Sequence, residues 1–432
     1  MASNLPQSEW TFSRVTGGYI TECKDLGIKI TAEEISRKAD GMTALMTVRS
    51  TMVGLRTVED DILKIGLLNF YAPTSRSSWA KQIAARCPGE AQQLDWDGYL
   101  ERFVANVIAS ERLGDPAVDL ADVPLVDKNH YLIPGLVSSE ETTIWFGDGG
   151  SMKSYLALAA LATVATGSSA FLGVEPSEQR NVGYVDWEWG SQAHRRRLGR
   201  LAQGKKLPRI HYIRCDRPLV NEVPRLQRLI RELDLGFLVL DSVVFGCDGP
   251  AEQSDTAGRY FMALRQLAIP SLLIAHVTKA EDGDKKPFGS SFWHNSARLT
   301  WYIRKSGEFG EQTIVGLFNR KNNDDRPLEP RAFRFWFQDE MLQTIISPAS
   351  MDDLANEPDI AEKMPLKARI AASVKYEPKT ISEIAVEIGR TVQDVSTTIR
   401  REEKQGRTFT RVQGPDQVYR IALLETRDEP LQ

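Results

Sequence analysis

The sequence predicts an α/β protein whose core contains a mostly parallel sheet. An α+β region precedes this core, and a winged helix follows it. Two observations predict the core. Strand-like and helix-like segments alternate from Glu141 to about Ile346, which is typical of βαβ units. Strand-like segments such as Phe237–Leu240 are wholly apolar, as expected of a sheet covered on both faces.

The core elements are predicted in a regular order. The strands are Thr142–Phe146, Val182–Trp187, Ile210–Arg214, Phe237–Val244 and Ser271–Val277. The helices between them are Tyr155–Thr166, Ala193–Gln203, Pro224–Leu233 and Thr256–Leu267. Two more strands, Leu299–Arg304 and Thr313–Asn319, lie on either side of a turn with Gly307 and Gly310, and predict a β-hairpin.

Changes of composition divide the chain into five parts. Residues 1–125 form an α+β region of unassigned fold and role, with a strand at Thr43–Val48 and helices at Ser78–Arg86 and Trp96–Ala109. Residues 126–346 form the core, and residues 347–365 form an acidic, proline-containing linker. Residues 366–424 form the winged helix, and residues 425–432 are a tail.

Composition limits the class of protein. The chain of 432 residues is 42% hydrophobic and 26% charged, as is usual for a globular protein. No apolar run reaches the roughly 18 residues of a membrane helix, and the N-terminus does not read as a signal peptide. The four cysteines show no metal-binding spacing, which favours the cytoplasm. The net charge of −4 excludes a wholly basic nucleic-acid-binding protein, although not a local basic patch.

The strand Thr142–Phe146 leads into a glycine-rich loop and then into an apolar helix. The loop has the layout GxxxxGK[ST], with Met152 at the second glycine position. In this layout, backbone N–H groups surround nucleotide phosphates, the lysine reaches the β/γ oxygens, and the next hydroxyl ligates Mg²⁺. The sequence thus predicts ATP and Mg²⁺ as cofactors. The expected binding residues are Gly147, Asp148, Gly149, Gly150, Ser151, Met152, Lys153, Ser154 and Tyr155.

Met152 is the one departure from the phosphate-loop pattern. The helix begins at this position, so we expect a residue there to need no positive φ. A methionine then fits, provided that its side chain points away from the nucleotide.

Two strands end in acidic residues. Phe237–Leu240 leads into Asp241, which, with Ser154, is expected to hold Mg²⁺. The strand Val182–Trp187 supplies Asp186 and Glu188, which are two residues apart and are expected to share one strand face. Either carboxylate could orient and deprotonate the attacking water. Glu188 is favoured because it lies nearer the end of the strand, where such sheets bind ligands.

The last parallel strand ends at His276, beside the strand that carries Asp241. A histidine here could sense the γ-phosphate, or it could be a hydrogen-bonded structural residue. We favour the sensor.

In order and spacing, these motifs resemble the RecA-like ATPases, and most closely the RepA-type hexameric replicative helicases of plasmids and phages. The resemblance covers about Glu141 to Asn322. The matching elements are the phosphate loop, Tyr184 with Glu188, Ala193–Leu198, Asp241–Ser242, His276–Lys279, and Gly289–Ser291 with Asn295 and Arg298.

The resemblance implies roles for several residues. Glu188 maps onto the family's general base, and Arg298 maps onto the arginine that reaches the γ-phosphate of the neighbouring subunit. Arg320, Lys321 and Asn322 are weaker candidates for that interface. Lys285 and Lys286 lie in a loop position where RecA-like proteins contact single-stranded DNA.

The C-terminal region has the pattern of a winged helix: three helices (Lys367–Tyr376, one beginning at Thr380, and Thr391–Gln405) and a two-stranded wing. Val392, Val395 and Ile399 are expected on the inner face of the third helix. Outward-facing polar and basic residues favour nucleic-acid binding, although winged helices also bind proteins. The expected DNA-binding residues in this region are Gln393, Thr397, Arg400, Arg401, Lys404 and Arg407.

Together these features predict an ATP-dependent, ring-forming DNA motor, a replicative helicase of phage or plasmid type. It would couple Mg-ATP hydrolysis between subunits to movement along single-stranded DNA. The expected partners are DNA, including duplex DNA at the winged helix, and further copies of the chain in a hexamer. Two alternatives stay open: an ATP-switched DNA-binding replication initiator or regulator, and a filament-forming recombination ATPase.

Overall fold

The computed structural model describes residues 9–38, 41–124, 130–277, 287–289, 291–306, 310–323, 326–350, 353, 366–406, 408–414 and 417–424. These residues form two units. One contains the described residues within Met1–Lys128, Leu219–Leu235 and Tyr260–Ala268, and the other contains the rest. Every helix within the described ranges is too short or too polar to cross a bilayer.

Strands and helices are numbered in the order of the chain. The strands are β1 Thr11–Val15, β2 Gly18–Cys23, β3 Ile28–Lys38, β4 Gly41–Ser50, β5 Ile62–Asn69, β6 Tyr131–Ile133, β7 Val137–Ser138, β8 Thr143–Gly147, β9 Asn181–Asp186, β10 Ile210–Arg214, β11 Leu235–Asp241, β12 Ser271–His276, β13 Leu299–Lys305, β14 Gln312–Asn322, β15 Arg331–Gln338, β16 Gln343–Pro348, β17 Phe409–Gln413 and β18 Tyr419–Leu423. The helices are α1 Pro73–Ala84, α2 Trp96–Leu113, α3 Lys153–Thr166, α4 Ser191–Ala202, α5 Leu219–Glu232, α6 Ser254–Leu267, α7 Ser291–Ser296, α8 Leu366–Ser373, α9 Ile381–Glu387 and α10 Val392–Lys404.

The first unit is built on an antiparallel sheet with the strand order β1-β2-β3-β4-β5. Buried side chains of the strands, of α1 and of α2 form one core, in which Trp79 and Phe103 are large members. Helix α5 also belongs to this unit, and its Arg228 and Arg231 form ion pairs with Glu33 on β3. The N-terminal region is thus an α+β structure with a core of its own.

The second unit contains a nine-stranded sheet with the order β10-β9-β11-β12-β8-β13-β14-β15-β16. The pairs β10–β9, β11–β12, β12–β8 and β8–β13 are parallel, and the strands from β13 to β16 are antiparallel. Residues Leu156–Ala162 of α3 are all buried, and they belong to one large core with the sheet. The predicted mostly parallel sheet is confirmed.

The structure departs from the predicted core elements at several points. Helix α5 begins at Leu219, before the predicted start at Pro224, because Leu219 and Val223 are already buried. The predicted hairpin of β13 and β14 is part of the main sheet, since β13 also pairs with β8. Strands β15 and β16 extend the same sheet and were not predicted.

The C-terminal residues fold as three short helices followed by the β17–β18 hairpin, around a core that includes Ile384 and Ile399. Thr380 caps α9 in a complete capping box with Glu383, as the sequence indicates. Val395 and Ile399 of α10 are buried, but Val392 is 51% exposed. Its predicted place on the inner face is wrong, because it occupies the first turn, beyond the reach of this core.

Candidate active site

The candidate site lies where the parallel strands β8, β9, β11 and β12 end, at one edge of the sheet. A cleft of about 820 Å³ opens there. Because open α/β sheets bind their ligands at the carboxyl ends of the strands, this is the expected position for a site. Its lining residues come from α3, α4, β11, β12, β15 and the loops near them: Gly150, Ser151, Met152, Lys153, Ser154, Tyr155, Glu188, Trp189, Arg197, Asp241, Ile274, His276, Gly310, Glu311, Phe337 and Asp339.

The phosphate loop joins β8 to α3. Gly147 packs so closely that a Cβ there would lie 2.2 Å from the carbonyl oxygen of Ile303. The Lys153 ammonium is 5% exposed and donates to the carbonyl oxygens of Gly147 and Asp148, at 2.9 and 2.8 Å. Burial lowers the pKa of Lys153 to about 8. A phosphate would reverse that effect, since its negative charge favours the ammonium form.

Met152 adopts a left-handed conformation, with φ of 70° and ψ of 9°. The expectation that this position needs no positive φ is therefore wrong. The chain turns at Met152 before α3 starts at Lys153, and this turn is the physical reason why a glycine suits the position. A methionine there costs roughly 1–2 kcal/mol in backbone strain. Its half-buried side chain packs on the core and offsets part of this cost.

Asp241 ends β11 and is 5% exposed. It accepts hydrogen bonds from the hydroxyl of Ser154 and, at 2.6 Å, from that of Tyr184. Burial raises the pKa of Asp241, against these two hydrogen bonds. A buried carboxylate whose charge is costly, beside a serine hydroxyl at the start of α3, suits a hard cation such as Mg²⁺. These two residues fit the predicted metal site.

Glu188 lies in the loop after β9, and its carboxylate lines the cleft. The hydroxyl of Ser242, the residue after Asp241, donates to Glu188 Oε1. The Nε2 atom of His276 lies 3.9 Å from the same oxygen. His276, followed by the Ser242 hydrogen bond, keeps the pKa of Glu188 below its usual range, against the effect of burial. Residues at the ends of three adjacent strands, β9, β11 and β12, therefore meet around one ionised carboxylate.

Asp186 does not share a strand face with Glu188. Strand β9 ends at Asp186, whose Oδ1 accepts the backbone N–H groups of Glu188 and Trp189 at 2.9 and 3.1 Å. The expectation of a shared face is wrong because these bonds turn the chain out of the strand. Asp186 is 1% exposed and is not among the residues that line the cleft.

The cleft also has an aromatic part, of which the sequence predicts only Tyr155. The Arg197 guanidinium of α4 lies 4.3 Å from the ring centre of Trp189 and 5.5 Å from that of Tyr155. Tyr155 also packs against Phe337 of β15, with ring centres 6.4 Å apart. The sequence signal was the basic run at the start of α4, but Phe337 comes from a strand that was not predicted.

Arg298 is exposed and comes directly before β13. In the parallel register, Leu299 pairs with Thr143 and Ile303 pairs with Gly147. Arg298 thus lies at the opposite edge of the sheet from its own phosphate loop. Lys321, a weaker candidate, donates to the carbonyl oxygens of His294, Asn295 and Ala297, and so caps the C-terminus of α7.

Some predicted DNA-binding residues fall outside the described ranges: Lys285, Lys286 and Arg407, together with the neighbouring Thr278 and Lys279. Five others are exposed on α10, namely Gln393, Thr397, Arg400, Arg401 and Lys404. Among the described residues Arg400 and Lys404 have no ion-pair partner, whereas Arg401 lies 3.9 Å from Glu402.

The central part of the chain is similar to a known protein family. Residues 111–282 match the model of a protein family described as an AAA domain. The central part of this chain, which contains the phosphate loop, is therefore similar to the ATPase domains of that family. No curated protein matches the sequence. Among solved structures, the chain is similar to a KaiC-like protein from the hyperthermophilic archaeon Pyrococcus horikoshii OT3, at 13% identity and a TM-score of 0.36, over 51% of this chain and 98% of that one.

Proposed function

We propose that the protein is an ATP-hydrolysing DNA motor that works as a ring, most simply of six subunits, in the manner of a replicative helicase. The observation that carries the proposal is the grouping of Lys153, Asp241 and Glu188 in one cleft, with a cationic residue, Arg298, away from that cleft. ATP would bind with its phosphates on the loop and its base towards Trp189 and Arg197.

The cleft has the parts that phosphoryl transfer to water requires. Lys153 supplies a cation for the β/γ oxygens, and Ser154 with Asp241 would hold Mg²⁺, which would neutralise further charge on the phosphates. Glu188 is ionised and half-buried, so it could accept a proton from an attacking water. His276 lies beside it, where it would respond to the γ-phosphate.

The position of Arg298 supports a site shared between subunits. By strand register it lies about five residues, or roughly 16 Å, along the sheet from Gly147. It is exposed, and it is near enough to Lys321 that the two cations repel. A guanidinium so placed cannot serve its own cleft, but in a ring it could reach the γ-phosphate of a neighbour, as trans-acting arginines do.

The C-terminal helices support a DNA partner. Gln393, Thr397, Arg400 and Lys404 recur on one exposed side of α10 at helical spacing, with the uncharged residues first and the cations last. In winged helices and related modules, the start of the recognition helix contacts base edges and cations contact phosphates. The β17–β18 hairpin would be the wing, held to α10 by the 2.8 Å ion pair of Arg411 with Glu403.

The test combines assembly with hydrolysis. We expect mass photometry to show a six-subunit species with Mg-ATP, and we expect single-stranded DNA to stimulate hydrolysis and a forked duplex to be unwound. Arg298→Ala should retain ATP binding but lose stimulated hydrolysis. A monomer or dimer whose hydrolysis ignores DNA would instead favour an ATP-switched initiator or regulator, and a filament would favour a recombination ATPase.

Mixing two inactive variants tests the shared site more directly. Lys153→Ala lacks the phosphate-binding cation but keeps Arg298, and Arg298→Ala has the reverse defect. If Arg298 acts in trans, a mixture of the two should regain hydrolysis, since some interfaces then combine an intact loop with an intact arginine. No recovery in a mixture that forms mixed rings would contradict the trans role.

A further inference from the structure

The geometry points to Asp186 as the positioning residue of this site. Held by His194, it would fix the backbone that carries Glu188, and it would not itself act as the base. This inference rests on the proposed function, in which Glu188 activates water. It concerns the second carboxylate that the sequence offers for that role, after the favoured Glu188.

Both oxygens of Asp186 have hydrogen-bond partners within the protein. Oδ1 accepts the N–H groups of Glu188 and Trp189. Oδ2 lies 3.0 Å from Nε2 of His194 and 3.2 Å from the Tyr212 hydroxyl oxygen, whose single proton is shared with the Trp189 carbonyl oxygen. A general base needs an oxygen within reach of water, and Asp186, which is 1% exposed, offers none.

His194 explains why Asp186 stays ionised in a buried place. Burial favours the neutral acid, but hydrogen bonds from His194 and from the two backbone N–H groups lower the pKa of Asp186 overall. Because the carboxylate only accepts, the His194 proton belongs on Nε2. His194 is 6% exposed, and its ring lies 4.3 Å from that of Tyr184.

The same network reaches the metal site. Tyr184 packs on His194 and donates its hydroxyl to Asp241. The backbone N–H of Trp187, between Asp186 and Glu188, donates to the Asp241 carbonyl oxygen at 2.9 Å. The loop that carries Glu188 is therefore hydrogen-bonded both to the Asp186 side chain and to the backbone of β11. Such a network fixes the distance between the carboxylate that activates water and the carboxylate that would hold Mg²⁺.

The loop is held at its far end as well. The Trp189 carbonyl oxygen accepts hydrogen bonds from the Tyr212 hydroxyl at 2.6 Å and from the Arg214 guanidinium at 2.8 Å. Tyr212 thus contacts both Asp186 and the loop. Removing the Asp186 carboxylate would release two backbone N–H groups on either side of the Glu188 side chain while leaving that side chain present. Because a displacement of about 1 Å costs up to 10²-fold in rate, Asp186 would act through placement alone.

A set of four variants tests this role. We expect Asp186→Ala to lower kcat about 10–100-fold while the Kd of a fluorescent ATP analogue changes less than about threefold. Asp186→Asn should recover much of the rate, because its amide oxygen still accepts both N–H groups. Adding Asp186→Ala to Glu188→Gln should cause little further loss, since residues that act as one unit are not additive.

Two results would overturn the inference. One is an Asp186→Ala enzyme with the wild-type kcat, and the other is an Asp186→Asn enzyme that is inactive while Glu188→Gln is active, which would make Asp186 the base. Thermal unfolding serves as the folding control. If Asp186→Ala fails to fold, His194→Gln takes its place, with a smaller loss of kcat expected at unchanged nucleotide affinity and a wild-type kcat counting against the inference.

A second readout does not depend on hydrolysis. Hydrogen exchange of a peptide covering 187–189 should be faster in Asp186→Ala than in the wild type and close to wild type in Asp186→Asn. Unchanged exchange in Asp186→Ala would contradict the positioning role even in a protein that hydrolyses no ATP. Failure of the proposed function would instead appear as a wild-type protein without hydrolysis.

Discussion

Strands β9 and β11 are neighbours in the sheet, and each ends in a buried aspartate. The surroundings of the two aspartates shift their pKa values in opposite directions. At the end of β9, hydrogen bonds from His194 and two backbone N–H groups outweigh burial and lower the pKa of Asp186. At the end of β11, burial outweighs the hydrogen bonds from Ser154 and Tyr184 and raises the pKa of Asp241.

In our proposal, the difference separates a structural charge from a functional one. Asp186 receives enough donors from the protein to keep its pKa low, and it would hold the chain without a ligand. Burial outweighs the donors at Asp241, so a bound cation would make its charge more favourable. The balance of burial against donors, more than the residue type or the place on the strand, distinguishes the two roles.

Replacing each aspartate by asparagine tests this comparison, and we expect this test to give the largest change in activity. We expect Asp241→Asn to lose about 10²-fold or more of Mg-dependent hydrolysis, because a neutral amide is a poor ligand for Mg²⁺. Asp186→Asn should keep most of its activity. Rates measured across a Mg²⁺ titration check both, and equal losses in the two variants would contradict the distinction.

The same pair predicts opposite changes in stability without nucleotide. Asp241→Asn removes a charge that burial makes unfavourable, so we expect its Tm to rise. Asp186→Asn removes a charge that is well satisfied, and its Tm should fall. Differential scanning calorimetry without Mg²⁺ measures both. A lower Tm in Asp241→Asn would show that its charge is already compensated.

A third charge, on Lys153, gives a pH dependence of intermediate size. Its pKa is lowered to about 8 by burial, and bound phosphates would raise it, so binding above pH 8 must take up a proton. We expect ATP affinity to be highest below pH 8 and to be about tenfold weaker at pH 9 than at pH 7. Calorimetry in two buffers measures the affinity and the proton uptake. Lys153→Arg stays charged, so the weaker affinity at pH 9 should disappear in this variant.

Arg197 of α4 contacts Trp189, at the other end of the loop that follows β9. Its guanidinium packs on Trp189 and faces the cleft, so we expect Arg197→Ala to weaken ATP binding about tenfold, with a smaller effect on kcat. Arg196→Ala is the matched control, because Arg196 is exposed on the same helix and does not line the cleft. Equal affinities in the two variants would remove Arg197 from the site.

Met152 should give the smallest effect. Glycine relieves the left-handed backbone but loses packing, so we expect Met152→Gly to change the free energy of unfolding by less than about 1 kcal/mol. Met152→Val should destabilise by about 1–2 kcal/mol, since a β-branched residue is the least suited to a positive φ. Urea unfolding compares the two variants. Equal stabilities would show that the strain at this position is small.

The sequence predicted what depends on local pattern. Apolar runs indicated the parallel strands, and the glycine-rich loop indicated Lys153 and Ser154, because these signals lie within a few neighbouring residues. Contacts between distant segments were not predictable. Phe337 comes from a strand with no recognised pattern. The Ser242 hydroxyl that donates to Glu188 is 54 residues away along the chain. The positive φ at Met152 was not predictable from residue type, because residues other than glycine rarely adopt it.

The role of Glu188 is tested most directly by comparing wild type with Glu188→Gln in single-turnover hydrolysis of Mg-ATP, with nucleotide affinity measured in parallel. Glutamine keeps the size of the side chain and can still accept the Ser242 hydroxyl, but it cannot take a proton. We expect wild-type affinity and hydrolysis slower by about 10²-fold or more. A Glu188→Gln enzyme that binds and hydrolyses ATP as the wild type does would contradict the assignment of Glu188 as the base.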